Sequence, residues 1–241
     1  ELSAKLRGEA FYCNALSGES DYNITVNCDG TLTCNCHDYD GSGNLGDLSQ
    51  QSFKDVFFGP KAQSFRESLA KGKLPIRTCA HCGDLRRIKK SKLPEIKPRL
   101  PYRGMLLENT VRCNIDCVGC DRIQAAGLRK TKQMELGLIA KMADLVKDLG
   151  LQQLFYLNLG EPFLSPNIGK ELPLLREKNP DCRSVISSNA IILNTDAKRE
   201  AAMYASHIFF SIAGIDDAML KKYEHDGNFE KAYENLKAIV A

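Results

Sequence analysis

Cys113-Asn114-Ile115-Asp116-Cys117-Val118-Gly119-Cys120 gathers three thiols into eight residues with the spacing Cys-x3-Cys-x2-Cys. Three soft ligands this close suit an iron-sulfur cluster, and three is one fewer than the irons of a [4Fe-4S] cubane. One iron is then left open, and an open iron binds a substrate where a fully ligated one only passes electrons. The spacing therefore points to an enzyme.

Composition agrees. A chain of 241 residues, 43% of them hydrophobic, can bury a real core as one large or two modest domains, and two are expected. Its formal charge of +3 is the difference of 33 basic and 30 acidic residues, a mixed solvated surface and not a face for a polyanion. A local basic run, Lys89, Lys90, Lys92, Lys97, Arg99 and Arg103 among Pro94, Pro98 and Pro101, reads as an exposed linker, and nucleic acid is not expected as a partner. No apolar stretch reaches the about 18 residues of a membrane span, and no signal peptide is visible in a chain that begins at Glu1. Ten cysteines in an oxidising compartment would suggest disulfides, but the spacings here, including Cys79-Ala80-His81-Cys82, are of the metal-binding type. Reduced, metal-bound thiols and a cytoplasmic location are the expectation.

The chain divides near residue 100, into 1–98 and 99–241. Beyond Gly104 strands and helices alternate, the pattern of a parallel sheet built from βα units. Met105 to Val111 is a first strand running into the cysteine loop. Met134, Leu138, Met142, Leu145 and Leu149 recur on one helical face, ended by Gly150. Strands follow at Leu154 to Leu159, Ser184 to Ser188 and His207 to Ile212. Ser165-Pro166 reads as a cap followed by proline at the first helical position. Further helices are expected near Asp196 to Tyr204, Asp216 to His225 and Phe229 to Val240.

The cysteine run resembles the signature of the radical S-adenosylmethionine (radical SAM) superfamily, and three later segments fit in order. Leu157-Asn158-Leu159-Gly160-Glu161-Pro162-Phe163-Leu164 is similar to the family's Gly-Gly-Glu-Pro segment. Val185-Ile186-Ser187-Ser188-Asn189 stands where its third strand and turn lie, and Ile208-Phe209-Phe210-Ser211-Ile212-Ala213-Gly214 looks like its fourth strand. Each motif falls at the end of an expected strand, the rim where parallel barrels build active sites. The resemblance implies a partial (βα) barrel, with about four of the family's six units visible before Ala241.

By that resemblance Cys113, Cys117 and Cys120 would hold the cluster, and the amine and carboxylate of S-adenosylmethionine would chelate its fourth iron. Gly160, Glu161 and Pro162 would meet the amine, Glu161 as a charged acceptor. Ser187 and Asn189 would lie near the carboxylate or ribose, and Ser211 would bond the ribose. An electron, from a donor such as flavodoxin or ferredoxin, would break the sulfonium bond, and the resulting 5'-deoxyadenosyl radical would remove hydrogen from a substrate. Three positions depart from the family: Gly119 replaces an aromatic residue, Leu159 a glycine and Ala213 a frequent aspartate. None removes a ligand.

The first hundred residues add Cys13, Cys28, Cys34, Cys36, Cys79 and Cys82, set in Val26-Asn27-Cys28-Asp29-Gly30-Thr31-Leu32-Thr33-Cys34, Asn44-Leu45-Gly46-Asp47-Leu48 and Ser64-Phe65-Arg66. These segments resemble the SPASM domain, which holds auxiliary [4Fe-4S] clusters and in its family follows the barrel, whereas here it precedes it. A small cysteine-rich α+β domain with one auxiliary cluster is implied. Cys79 and Cys82 are its firmest pair, Cys34 and Cys36 complete it, and Cys13 or Cys28 are alternatives for one of them. A closed zinc knuckle of Cys34, Cys36, Cys79 and Cys82, with His37 or His81 as substitute, is the competing reading. The SPASM resemblance suggests oxidation or cross-linking of a peptide, or oxidation of a sugar-like small molecule; a non-catalytic zinc- or cluster-bearing scaffold is the alternative. Cys182 reads as a plain small residue. Phe53, Val56, Phe57 and Phe58 read as packing of the small domain's only helix, and Arg66 as the partner of a carboxylate or a bound substrate.

Overall fold

In a computed structural model the protein is described over Leu2, residues 6–36 and residues 38–240. The strands are β1 (Glu9–Cys13), β2 (Thr25–Val26), β3 (Thr31–Thr33), β4 (Asn44–Asp47), β5 (Leu85–Lys89), β6 (Gly104–Leu107), β7 (Gln153–Tyr156), β8 (Arg183–Ser188) and β9 (His207–Phe210). Between them lie α1 (Asn14–Ser17), α2 (Phe53–Phe57), α3 (Pro60–Ala70), α4 (Arg122–Leu128), α5 (Leu136–Leu149), α6 (Ile168–Lys178), α7 (Asp196–Ala202), α8 (Asp217–Leu220) and α9 (Phe229–Val240).

The strands β6 to β9 form four parallel βα units, as the alternation predicts. All four residues of β6 are buried, the continuous apolar strand of a parallel sheet covered on both faces. The α5 helix covers it with Ile139, Met142, Ala143 and Val146 and ends at Gly150. The barrel is open. Among the described residues no strand beyond β9 closes it, and its other flank is taken by the cysteine-rich unit.

That second feature was not legible in advance. One sheet runs in the order β4-β3-β2-β6-β7-β8-β9, so the small unit is not hung on a linker but extends the large unit's sheet. Thr25 and Val26 pair in parallel with Leu106 and Leu107, and β2, β3 and β4 continue antiparallel. The edge of β6 would otherwise present unpaired backbone groups, and β2 satisfies them. A separate two-stranded ladder joins β1 to β5, so the basic run begins at a strand end, Lys89, and continues into a 3₁₀ turn at Lys90–Glu95. Several of its charges are spent locally, Lys92 on Glu95 and Arg103 on Asp21.

Three further expectations shift. The helix expected from Asp216 stops at Leu220, because the following chain bridges to the cysteine loop at Glu224 and Cys117. Helix α6 starts at Ile168 and not at Pro166: the Ser165 hydroxyl donates to Glu171 and accepts the Asn167 N–H. Among the described residues the small unit has three α-helices, not one, and α3 carries Phe65 and Leu69 into its core. Among the described residues no helix is long and apolar enough to cross a membrane.

Candidate functional site

The loop after β6 carries Cys113, Cys117 and Cys120, all half-buried and none in a disulfide. Two neighbouring segments shape it. The Glu161 N–H donates to the Arg112 carbonyl at 2.8 Å, tying the loop to the end of β7. On the far side Val118 N–H donates to Tyr223 at 2.8 Å and His225 N–H to Asp116 at 3.1 Å. Gly119, in place of an aromatic residue, adopts φ +77°, a left-handed turn before the last cysteine. Burial pushes the Cys113 thiol up, and burial with the nearby Glu224 carboxylate pushes Cys117 to about 11. A bound metal cluster reverses that penalty, since it takes the thiols as thiolates.

The rim closes around this loop. Gly160 is required by contact: a Cβ there would lie 2.0 Å from the Thr110 carbonyl oxygen. Glu161, 2% exposed, accepts hydrogen bonds from the Asn189 N–H (2.8 Å), the Ser188 hydroxyl (2.9 Å) and the Phe163 N–H (3.2 Å). Both carboxylate oxygens thus accept bonds inside the protein, joining the ends of β7 and β8. Burial raises it to about 7 against those donors. Asn189 reaches back to the cysteine loop, donating to Asn114 at 3.0 Å and to the Cys113 sulfur at 3.9 Å. Ser187 and Ser211 bond each other at 2.8 Å across the ends of β8 and β9. Pro162 begins a buried 3₁₀ turn, and its carbonyl accepts from Asn109.

In the small unit Cys13, Cys34, Cys79 and Cys82 line one small pocket, walled by Leu16, Phe65, Leu69, Ile76 and Leu85. Cys13 ends β1, Cys34 follows β3, Cys79 lies in a 3₁₀ turn (Arg77–Ala80) and Cys82 lies just beyond it. Burial pushes Cys13 to about 12 and Cys34 well above the usual thiol range, and the thiols raise one another by like charge. Of the two alternatives, the structure therefore brings Cys13 and not Cys28 to the group. Cys28 lies apart: its N–H donates to Glu108 and its thiol to the Thr131 carbonyl at 3.3 Å. Cys36 and His81 line a larger adjoining cavity together with Cys82. His37 lies outside the described residues. Arg66 holds the Leu16 and Phe57 carbonyls and stacks on Phe57, a structural part and not a substrate ligand.

Among the described residues no three His, Cys, Asp or Glu side chains stand close enough to share one metal ion. In a cubane each cysteine takes its own iron. Sequence reasoning missed the neighbours: Asn114, Glu224 with its bond from the Ala213 N–H, and the buried pair of Glu108 and Arg129 at 3.0 Å. That pair also engages Asn27 and Asn158 and so locks the two units together. Only long-range contacts give such residues a role.

A mostly parallel α/β sheet with a three-thiol loop at its rim, beside a pocket lined by four thiols, fits an iron-sulfur protein. The Radical SAM superfamily matches residues 107–241, over half of the chain, and the SPASM iron-sulfur cluster-binding domain matches residues 13–83. The chain belongs to the radical SAM superfamily. Such enzymes need a [4Fe-4S] cluster and S-adenosylmethionine, and generally take electrons from flavodoxin or ferredoxin; SPASM domains bind auxiliary iron-sulfur clusters. No curated protein matches the sequence.

Proposed function

We propose that Cys113, Cys117 and Cys120 hold the [4Fe-4S] cluster that binds S-adenosylmethionine, and that Cys13, Cys34, Cys79 and Cys82 hold one auxiliary cluster. When bound, the first cluster with S-adenosylmethionine supplies reductive cleavage of a sulfonium bond and hydrogen abstraction from substrate. The protein's residues prepare that chemistry. Glu161 fixes the ends of β7 and β8, so that backbone at Gly160 and the side chain of Asn189 frame the methionyl group. The paired Ser187 and Ser211 hydroxyls offer polar contacts to a ribose.

The observation that carries this reading is the contact of Asn189 with both Asn114 and the Cys113 sulfur. It joins the expected ligand loop to an expected S-adenosylmethionine residue 76 positions away. For the substrate we favour a peptide or a sugar-like molecule, oxidised or cross-linked, with the auxiliary cluster taking or relaying an electron. A cavity of about 1030 Å³ beside the auxiliary pocket supports this: Tyr22, Asn23, Tyr39, Arg77 and His81 line it, and Asp121, next to Cys120, reaches its wall. Its size and mixed lining suit an extended polar substrate better than a small apolar one.

Anaerobic reconstitution, reduction with dithionite and EPR with and without S-adenosylmethionine test the proposal. A reduced-cluster signal that changes on adding S-adenosylmethionine supports it. Zinc in the cysteine sites, or a cluster signal indifferent to S-adenosylmethionine, replaces the enzyme with a binding scaffold.

A further inference from the structure

The loop between Cys34 and β4 reads Asp38-Tyr39-Asp40-Gly41-Ser42-Gly43. Oxygen-bearing side chains occupy its first, third and fifth positions and glycine its sixth, the order found at the start of calcium loops. An order of acidic residues alone makes no site. Here one of them is buried and incompletely satisfied.

Asp38 is 2% exposed. Its Oδ1 accepts the Gly43 N–H at 2.8 Å, while its Oδ2 is shut away from water without any hydrogen-bond partner. The loop closes on this carboxylate, because a Cβ at Gly43 would lie 3.1 Å from Oδ1 and 3.5 Å from Oδ2. Among the described residues no cation forms an ion pair with it: Arg129 is committed to Glu108 and Asn27, Lys61 lies over the Phe65 ring, and both act on it only through space. A buried, unpaired carboxylate oxygen is costly. Asp40 stands two residues on, holding the Ser42 N–H and hydroxyl at 3.0 and 2.6 Å.

We propose that this loop binds a calcium ion through Asp38, Asp40 and Ser42. Oxygen donors of mixed kind in an irregular loop suit Ca²⁺, whereas Mg²⁺ demands a near-ideal octahedron. The twelfth position is Ser49, bonded to Asp47, in place of a bidentate glutamate, and Asp47 itself pairs with Lys130. With few carboxylates the affinity falls in the weak range, roughly 0.1–1 mM. Tyr39, Asp40 and Ser42 also line the large cavity, so the ion braces one of its walls and offsets negative charge near Cys34.

Calorimetric titration of the reconstituted full chain with CaCl₂, under anaerobic conditions, tests this. One site in that range is expected. Asp38→Asn, which keeps an oxygen for the Gly43 N–H, and the exposed Asp40→Asn should each weaken binding at least about tenfold, and Asp47→Asn should not. Absence of binding at roughly ten times that range, or an Asp40→Asn isotherm equal to wild type, overturns the proposal.

Discussion

Cys34 and Cys120 carry the same thiol into opposite surroundings. Cys34 is 6% exposed among leucines and phenylalanine, and its three companions come from β1 and from the turn before β5. Cys120 shares one short half-buried loop with Cys113 and Cys117, beside the polar Asn114, Asn189 and Glu224. Four thiols drawn from distant parts of the chain, Cys34 buried and the other three half-buried, would make a closed site, where metal binding and folding are one event. Three thiols on one loop would make an open site that the fold presents without depending on it. The difference separates a cluster that holds or relays from one that reacts.

The rim of the open site rests on backbone contact, which gives the largest expected effect. Gly160→Ala drives a Cβ to 2.0 Å from the Thr110 carbonyl and should cost more than about 4 kcal/mol in guanidinium unfolding. Gly127→Ala, on α4 with nothing within 4 Å of the new carbon, should instead gain up to about 1 kcal/mol. A Gly160→Ala protein with the wild-type midpoint would show that β7 does not seat on the cysteine loop as described.

Next in size is the contrast of the two clusters themselves. Cys34→Ser and Cys120→Ser should each halve the iron, from about eight atoms to about four. Cys34→Ser should also lower the melting temperature by several degrees, whereas Cys120→Ser should leave it nearly unchanged. Cys28→Ser should keep all the iron. Equal melting shifts for the first two variants would erase the distinction between closed and open sites.

What the sequence made legible follows the range of the interactions involved. Helix α9 runs from Phe229 to Val240 as expected, because apolar periodicity is local. The cysteine loop was legible for the same reason, its three ligands lying within eight residues. The pairing of β2 with β6 was not, since two residues of strand carry no period and the pairing partner lies 81 positions on, from Thr25 to Leu106. For the auxiliary pocket, adjacency in sequence favoured Cys36 next to Cys34; the fold brings Cys13 instead, through the β1–β5 ladder. Glu161 was found by its motif, but its inward direction depends on Ser188 and Asn189, which only the third strand supplies.

That inward carboxyl sharpens the comparison by pH. Its folded pKa, about 7, lies above the ordinary 4.5, so the protonated form is the one the fold favours. Its stabilisation is complete below pH 4.5 and is lost as pH rises through 7, by about 3 kcal/mol in the metal-free protein. Glu161→Gln should flatten stability over that window, measured by urea midpoints at several pH values. An unchanged slope in the variant would assign the titration to another group.

The smallest effect is expected just beyond Asn189. Ala190 adopts φ 62°, the one non-glycine residue at positive φ among those described, and is 0% exposed. A left-handed L-residue costs roughly 1–2 kcal/mol. Glycine would relieve that, but would give up a buried methyl and add unfolded-state freedom of about 0.5–1 kcal/mol. Ala190→Gly should therefore stabilise by less than about 1 kcal/mol, and the Ala190 carbonyl, which holds Asn235 of α9 at 2.8 Å, is untouched. Iron content and the EPR response should not move. If the variant instead loses stability, the Ala190 methyl is a packing element of the rim, and the turn after β8 is held by its core contacts more than by the bonds of Glu161.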